Sequence, residues 1–340
     1  MTLYDQDIRK AATLSLPWHL LDGKTVLVTG ATGLIGGAVT DLLMAADTTC
    51  RVIASGRSAA RAHKRFACYA RSERFSFIAM DLTQPLTCGE DFDFIIDAAG
   101  GAAPRLYKED PVGVMRSNLI GVDNLFRYGI GHGLRRFVYV SSGEVYGEGD
   151  GRTFFEDGYS GYVNPLEVRS CYPSAKRAAE TLCVSYGTQY HIGVCIARPS
   201  HVYGPGFTES DNRVYAQFVR NVVRGEDIVL KSKGEAFRSW TYVVDCATAL
   251  LYLLLKGKDG EAYNIADEQS NITIRDLAEM TARLAGRRVV FDIPDDPAHG
   301  ITTPITKAVF DTRRLQSLGW HPLWHIEEGL RHTIGLDTAE

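Results

Sequence analysis

The run YPSAK sets Tyr172 and Lys176 four residues apart at the start of a segment, 174–190, that reads as a helix, so phenol and ammonium share one helical face. An ammonium beside a phenol favours the ionised form and is expected to lower a pKa of about 10 in a free tyrosine. Tyr172 is then a candidate general acid/base, and Lys176 can also hold a ribose hydroxyl. Upstream, RFVYVSSGEVYG brings Ser141, Ser142 and Glu144 to the carboxyl end of an expected strand. A hydroxyl there can share a proton with a substrate hydroxyl. Glu144 is a candidate base or proton shuttle; the alternative is a loop carboxylate capping 145–147. A YxxxK pair on its own usually means a surface tyrosine and a solvated lysine. Here a glycine-rich turn precedes it.

Residues 26–37 read VLVTGATGLIGG: a strand, then Gly30, Gly33 and Gly36, then a helix. In that context the first glycine permits a tight turn and the second lets a pyrophosphate approach the backbone. The third lets helix and strand pack closely, and the helix N-terminus favours phosphate. The expected dinucleotide contacts are Gly30, Thr32, Gly33, Leu34, Ile35 and Gly36 at the turn, Arg57 after the second strand, and Asp81 and Leu82 after the third. Ala98 and Ala99 after the fourth strand, Asn118, Tyr172, Lys176 and Pro199 complete the set. Asp81, at a strand end, suits an adenine amino group, or else caps a helix. Where an NAD-binding chain commonly holds the ribose with Asp or Glu, this one reads Ser55-Gly56-Arg57-Ser58, followed by Arg61, Lys64 and Arg65. NAD and NADP both stay open. Otherwise the basic residues form a solvated helix face and Arg57 stacks on adenine.

These groups need a frame. Strand-like runs at 24–29, 51–55, 75–80, 92–97, 136–141 and 192–197 alternate with helical segments that include 34–46, 110–132 and 174–190. The alternation predicts an α/β fold, a Rossmann-like doubly wound parallel sheet. From about 199 the pattern loosens into shorter strands at 228–230, 262–265 and 289–291, with an amphipathic helix over 273–285 capped by Asn271 or Thr273. The expected organisation is an N-terminal extension (1–23) bearing a short helix, and a dinucleotide-binding domain (24–198) with a returning segment at about 240–265. A smaller C-terminal α+β substrate lobe takes 199–239 and 266–335, and the crevice between the two is the expected substrate site.

At 340 residues, 45% hydrophobic and 23% charged with a net charge of −4, the chain reads as globular, with no call for nucleic acid or an anionic membrane as partner. Its seven cysteines are scattered singly, which argues against a disulfide framework or a metal site. The charged N-terminus is neither signal peptide nor anchor, so the cytoplasm is expected.

Together TGATGLIG, SSGEVYG, YPSAK and ARPSHVYGPG resemble the extended short-chain dehydrogenases/reductases, the NAD-dependent epimerase/dehydratase family, over about 24–330. Within that group GYVNPLEVRSCYPSAKRAAETLC, DNRVYAQFV, GEAFRSWTYVVD and LGWHP…IEEGL are similar to the UDP-glucuronate decarboxylases. The resemblance implies Ser142, Glu144, Tyr172 and Lys176 as the catalytic set, with Asn118 positioning them. It places Arg213 and Arg238 on a nucleotide diphosphate, a task their fixed-charge forks suit, and Ser142 and His201 on the substrate. It further implies NAD, with NADP not excluded, a UDP-linked nucleotide-sugar substrate, and a homodimer through the helices bearing Asn118 and Tyr172. The implied reaction is transient oxidation at the sugar's C4 followed by decarboxylation. A 4-epimerase and an NADPH-dependent keto-sugar reductase are the alternatives; the intact Ser142, Tyr172 and Lys176 argue against a non-catalytic dinucleotide sensor.

Three departures stand out. Gly143 occupies the place where sugar 4,6-dehydratases carry Asp, His201 replaces the usual Asn, and GITTP at 300–304 lacks the usual Arg. Among the remaining residues, Asp245 is expected to cap the apolar helix that follows it and Trp240, Trp320 and Trp324 to pack, while Arg105 offers a partner to a substrate acid.

Overall fold

The computed structural model describes residues 1–149, 154–208, 211–293 and 307–336; the reading of 300–304 lies outside them. The chain begins with α1 (Leu3–Ala12), whose first turn is closed by a capping box of Thr2 and Asp5. There follow β1 (Thr25–Thr29), α2 (Leu34–Ala45), β2 (Arg51–Gly56), α3 (Ala59–Arg65), β3 (Phe75–Ala79), β4 (Phe94–Asp97), α4 (Pro104–Glu109), α5 (Pro111–Gly131), β5 (Arg136–Val140), α6 (Cys171–Tyr190) and β6 (Gly193–Pro199). The second half holds β7 (His201–Tyr203), α7 (Val214–Val223), β8 (Ile228–Leu230), β9 (Phe237–Tyr242), α8 (Val243–Lys256), β10 (Glu261–Ile265), β11 (Asp267–Thr273), α9 (Ile274–Leu284), β12 (Val289–Phe291), β13 (Lys307–Ala308), α10 (Arg313–Gln316) and α11 (Ile326–Ile334).

The large sheet has seven parallel strands in the order β10-β6-β5-β4-β1-β2-β3. Its central strands are apolar on both faces because helices cover both, as expected of a parallel sheet. Leu27, Ile53, Ile95, Phe137 and Tyr139 pack on one side with Val122 and Phe126 of α5 and Ala179 and Cys183 of α6. Val26, Val28, Val52, Ala54 and Val138 pack on the other, towards α2 and α8. Strand order reverses between β1 and β4, so the carboxyl ends of β1, β4 and β5 open a crevice there.

The second sheet runs β11-β9-β13, with β7 alongside β9, and β12 pairs with β8. The leader is tied down by side chains: Tyr4 donates to Asp41 of α2 at 2.6 Å, and Asp7 meets Tyr242 and His332, each at 2.8 Å. Asp245 departs from its expected role. Tyr242 is the N-cap of α8, and Asp245, buried inside the helix, accepts the backbone N–H groups of Leu323 (2.7 Å) and Trp324 (3.2 Å), so it fastens the C-terminal segment instead. The three tryptophans are buried in packing, as expected. The cysteines are unpaired. Among the described residues no helix is long and apolar enough to cross a membrane, and no group of His, Cys, Asp or Glu is arranged to hold a metal.

Candidate active site

Helix α6 starts at Cys171, earlier than expected, so Tyr172 sits in its first turn and Lys176 one turn on, both buried. The end of β5 supplies Ser141 and Ser142, pointing to different partners. Ser141 donates to Glu180 at 2.6 Å, and Glu180 is also gripped by Arg198 at 2.6 Å, so that hydroxyl is occupied. Ser142 lies beside the Tyr172 phenol, where its hydroxyl favours the ionised form, and it accepts from the Glu144 N–H at 3.2 Å. Of the two serines, Ser142 is therefore the one placed for proton sharing.

The expected acidification of Tyr172 by Lys176 is not what the structure contains. The Lys176 ammonium donates to the Val140 carbonyl at 2.8 Å and lies 5.8 Å from the Tyr172 ring centroid. Burial raises the phenol above its ordinary value and the Glu144 carboxylate adds to that, against smaller opposing effects of Ser142, Arg213 and Arg169. Desolvation outweighs the nearby cations, and the resting tyrosine keeps its proton. Burial also pushes Lys176 down, to about 8.

Glu144 is half-buried and pairs with Arg169 at 2.7 Å. Arg169 in turn lies over the Tyr107 ring, 5.1 Å from its centroid, and Tyr107 stacks on Tyr172 at 4.9 Å and 19°. Sequence reasoning missed both residues. Arg169 lay within the stretch already singled out before YPSAK. Tyr107 is the buried residue of α4, in the segment after β4 where Arg105 had been considered; Arg105 instead sits on the exposed side of that helix beside Glu109, 3.5 Å away. Gly143 has a steric reason as well: a Cβ there would run into the Phe310 ring, which is packed with Tyr146 and Phe155.

The far wall carries Arg213, Arg238 and His201. Arg213, the N-cap residue of α7, is held by Asp211 through Nε at 3.0 Å, and its charge is felt at Tyr172. Arg238 is buried in β9, donates to the Phe237 carbonyl at 3.0 Å, and is lowered by burial to about 10. His201 keeps a solvent-open face, yet crowding in the crevice and the two guanidiniums push its imidazole down to about 3. It is a neutral hydrogen-bonding group at physiological pH.

The other end of the crevice fits a dinucleotide. Gly30 has φ +60°, and a Cβ there would come 2.5 Å from the Ala98 carbonyl; one on Gly36 would come 2.6 Å from the Gly30 carbonyl. Gly33 is the N-cap of α2 without any side-chain cap, so the N–H groups of its first turn, beginning at Leu34 and Ile35, are available to phosphate. Ser55 Oγ is buried without a partner near the end of β2. Ala98 and Ala99 leave β4, with Ala99 N–H bonded to Thr29 at 3.2 Å, and Pro199 ends β6. Asn118, buried on α5, accepts from Tyr139 and lies against Gly100, where a Cβ would sit 3.3 Å from Asn118 Oδ1 and 3.4 Å from Lys176 Nζ. Leu82 packs on Gly121 of α5. Asp81 is engaged by Thr83 at 2.8 Å, and Arg57 is exposed nearby. Arg65 is not available to a ribose phosphate, because it is paired with Asp41.

Residues 26–266 match the model of a family described as "NAD dependent epimerase/dehydratase family". The chain is 33% identical over 309 residues to UDP-glucuronic acid decarboxylase 5 of Arabidopsis thaliana, covering 90% of this chain and 86% of that one. It is 30% identical over 321 residues to UDP-glucuronic acid decarboxylase 1 of Xenopus tropicalis, covering 92% and 72%. Its fold matches a UDP-glucuronic acid 4-epimerase from Bacillus cereus, solved with UDP-glucuronic acid and NAD, at TM-score 0.77 and 20% identity over 91% of this chain and 98% of that one. A UDP-glucose 4-epimerase from Thermotoga maritima, solved with UDP-glucose, matches at TM-score 0.76 and 23% identity over 91% and 97%.

Proposed function

The chain belongs to the NAD-dependent epimerase/dehydratase family and is an enzyme of the extended short-chain dehydrogenase/reductase type, and on that premise we propose that it decarboxylates a UDP-linked glucuronic acid with NAD as resident cofactor. The observation that carries the reading is the gathering of Ser142, Tyr172 and Glu144 opposite Arg213 and Arg238, with Arg169 beside them, at one end of a crevice whose other end is the glycine turn. Arg169, Arg213 and Arg238 outnumber the Glu144 and Asp211 carboxylates that hold two of them, which suits a substrate bearing both a diphosphate and a uronic acid. Phe310 filling the space beside Gly143 argues against dehydration, since no acid stands there to help a hydroxyl leave.

The turn from Gly30 to Gly36, Ala98, Ala99, Asn118, Lys176 and Pro199 are the residues that would hold the dinucleotide. When bound, NAD supplies a reversible acceptor for the C4 hydride and brings a positive charge into the crevice. Tyr172 exchanges the proton of the C4 hydroxyl, with Ser142 as relay. Because burial holds the phenol protonated at rest, Tyr172 depends on the cations around it to give that proton up, and is well set to return it. A ketone at C4 places the carboxyl of C5 in the β-keto position, so the C–CO2 bond breaks with its electron pair delocalised onto the C4 oxygen beside Ser142 and Tyr172. Glu144, fixed by Arg169, is the candidate shuttle for the proton that C5 then takes up.

A homodimer through α5 and α6 in the cytoplasm accompanies this reading, supported by exposed Met115, Ile130, Val184 and Tyr190 on those helices. The test is incubation of the purified protein with UDP-glucuronate. The expected result is carbon dioxide and a UDP-pentose without net consumption of NADH. Retention of C6 with inversion at C4 would mean an epimerase, and stoichiometric loss of NADPH with a keto-sugar would mean a reductase; either overturns the proposal.

A further inference from the structure

The face of the large sheet that meets α5 and α6 is apolar up to its last row. Leu27, Ile95 and Phe137 stand in register across β1, β4 and β5, and two residues further the same strands present Thr29, Asp97 and Tyr139. All three are buried, Asp97 with only 2% of its surface exposed. The Thr29 hydroxyl and the Ala99 N–H both donate to Asp97 Oδ1, the latter at 3.2 Å. Lys176 lies over this row, 4.6 Å from the Tyr139 ring centroid, and Asn118 closes it by accepting from Tyr139 at 3.2 Å. A carboxylate in such a place is costly unless its charge is used.

We propose that Asp97 is a positioning residue for the reaction: a sealed carboxylate beneath the crevice that keeps Lys176 an ammonium and holds it over the Thr29–Asp97–Tyr139 row. This rests on Lys176 being one of the residues that hold the dinucleotide, as proposed above. The groups facing Lys176 are few. Asp97 from β4 is the foremost charge opposing the desolvation of the ammonium. Glu180, on α6, is committed to Arg198 and Ser141. Cys183, also on α6, is pushed up by burial and stays a neutral thiol, as does the Tyr139 phenol from β5. Tyr172 keeps its proton. Among the described residues that face the ammonium, Asp97 is therefore the carboxyl not held by an arginine. Burial raises the Asp97 carboxyl above its ordinary value, and the Thr29 hydroxyl, the Lys176 ammonium itself and the Ala99 N–H work against that in favour of the ionised form.

The test is a side-chain nitrogen NMR titration of Lys176 in the full chain labelled with 15N-lysine, the signal assigned by its loss in Lys176→Met. In Asp97→Asn, which keeps an acceptor for Thr29 and Ala99, the midpoint should fall by at least about one pH unit. Thr29→Val, which strips one donor from the carboxylate, should move it the same way by less, and carries the test if Asp97→Asn does not fold. In turnover, Asp97→Asn should lose about fivefold at pH 8 and recover towards pH 6. Titrations of both variants superimposable on the wild type would overturn the proposal. Because the midpoint is read on resting protein, failure to release carbon dioxide from UDP-glucuronate would sink the substrate reading and leave this one standing.

Discussion

The two ends of the crevice are built from different material. At the dinucleotide end the fit comes from backbone: Gly30, Gly33 and Gly36 matter for the side chains they lack, and within seven residues a strand, a turn and a helix N-terminus are in place. At the sugar end the fit comes from side chains delivered by β5, α4, α6, α7, β9 and the segment that carries Phe310. A local backbone device tolerates no substitution and little else can disturb it. A long-range cluster of side chains can be retuned one member at a time, which is where specificity can vary within a shared fold.

If the contrast is right, the largest separation of function from binding comes at Tyr172. Tyr172→Phe should cut turnover by roughly 10³-fold, removing the proton carrier while leaving the ring stacked on Tyr107. NAD affinity, measured by calorimetry, should stay within about threefold of wild type. Activity within tenfold of wild type would remove Tyr172 from the chemistry. The reverse split is expected at the other end. In Gly36→Val a side chain must enter the space 2.6 Å from the Gly30 carbonyl, so NAD affinity should fall by about 100-fold and turnover fall with it. Retention of NAD by this variant would show that the close packing of helix against strand at the turn is not needed to hold the dinucleotide.

The same contrast explains what could be read from the sequence. The strands, the doubly wound order and the glycine turn follow from local pattern, since each depends on neighbours within one βαβ unit. Ser142, Tyr172 and Lys176 were legible because they sit at strand and helix ends that the pattern locates. The electrostatics were not. Sequence spacing puts an ammonium one turn from a phenol, but only the fold reveals that Val140 takes the ammonium's hydrogen bond and that burial dominates the phenol. Arg169 and Tyr107 reach the site from segments without regular pattern, and Asp97 looks in sequence like an ordinary strand terminus. Asp245 was misread for the same reason, because its partners at 323 and 324 lie far along the chain.

A smaller effect should sharpen the description of the sugar end. Arg169→Ala frees the Glu144 carboxylate and uncovers Tyr107. The expected loss is about tenfold in kcat/KM, with Arg169→Lys restoring part of it by charge without the planar fork. If Glu144 is the C5 proton shuttle, the loss should fall on kcat, with exchange of solvent deuterium into C5 slowed. A loss confined to KM would make Arg169 a binding residue for the uronic acid instead.

The smallest expected effect lies at the seam between the two ends, where the backbone device meets its first side-chain choice. Gly56 ends β2 where a ribose-holding acid is common, and Arg57 follows it, exposed and near Asp81. Its φ is not in the left-handed region, and the tightest contact of a Cβ there would be Thr32 Oγ1 at 3.3 Å, which can yield by a small rotation, with Thr32 Cγ2 and Phe77 at ordinary van der Waals distance. Nothing steric therefore requires glycine, and the missing carboxylate is a matter of chemistry. Without that acid the site lacks the group that repels a 2′-phosphate, and of the basic cluster that follows β2, Arg65 is withdrawn into its pair with Asp41. Gly56→Asp should accordingly raise the preference for NAD over NADP by about tenfold, by weakening NADP more than by strengthening NAD. Dissociation constants for both dinucleotides, at low and at high salt, would show it. An unchanged ratio would mean that discrimination is made elsewhere, and Arg57→Ala would then be expected to leave both affinities alike.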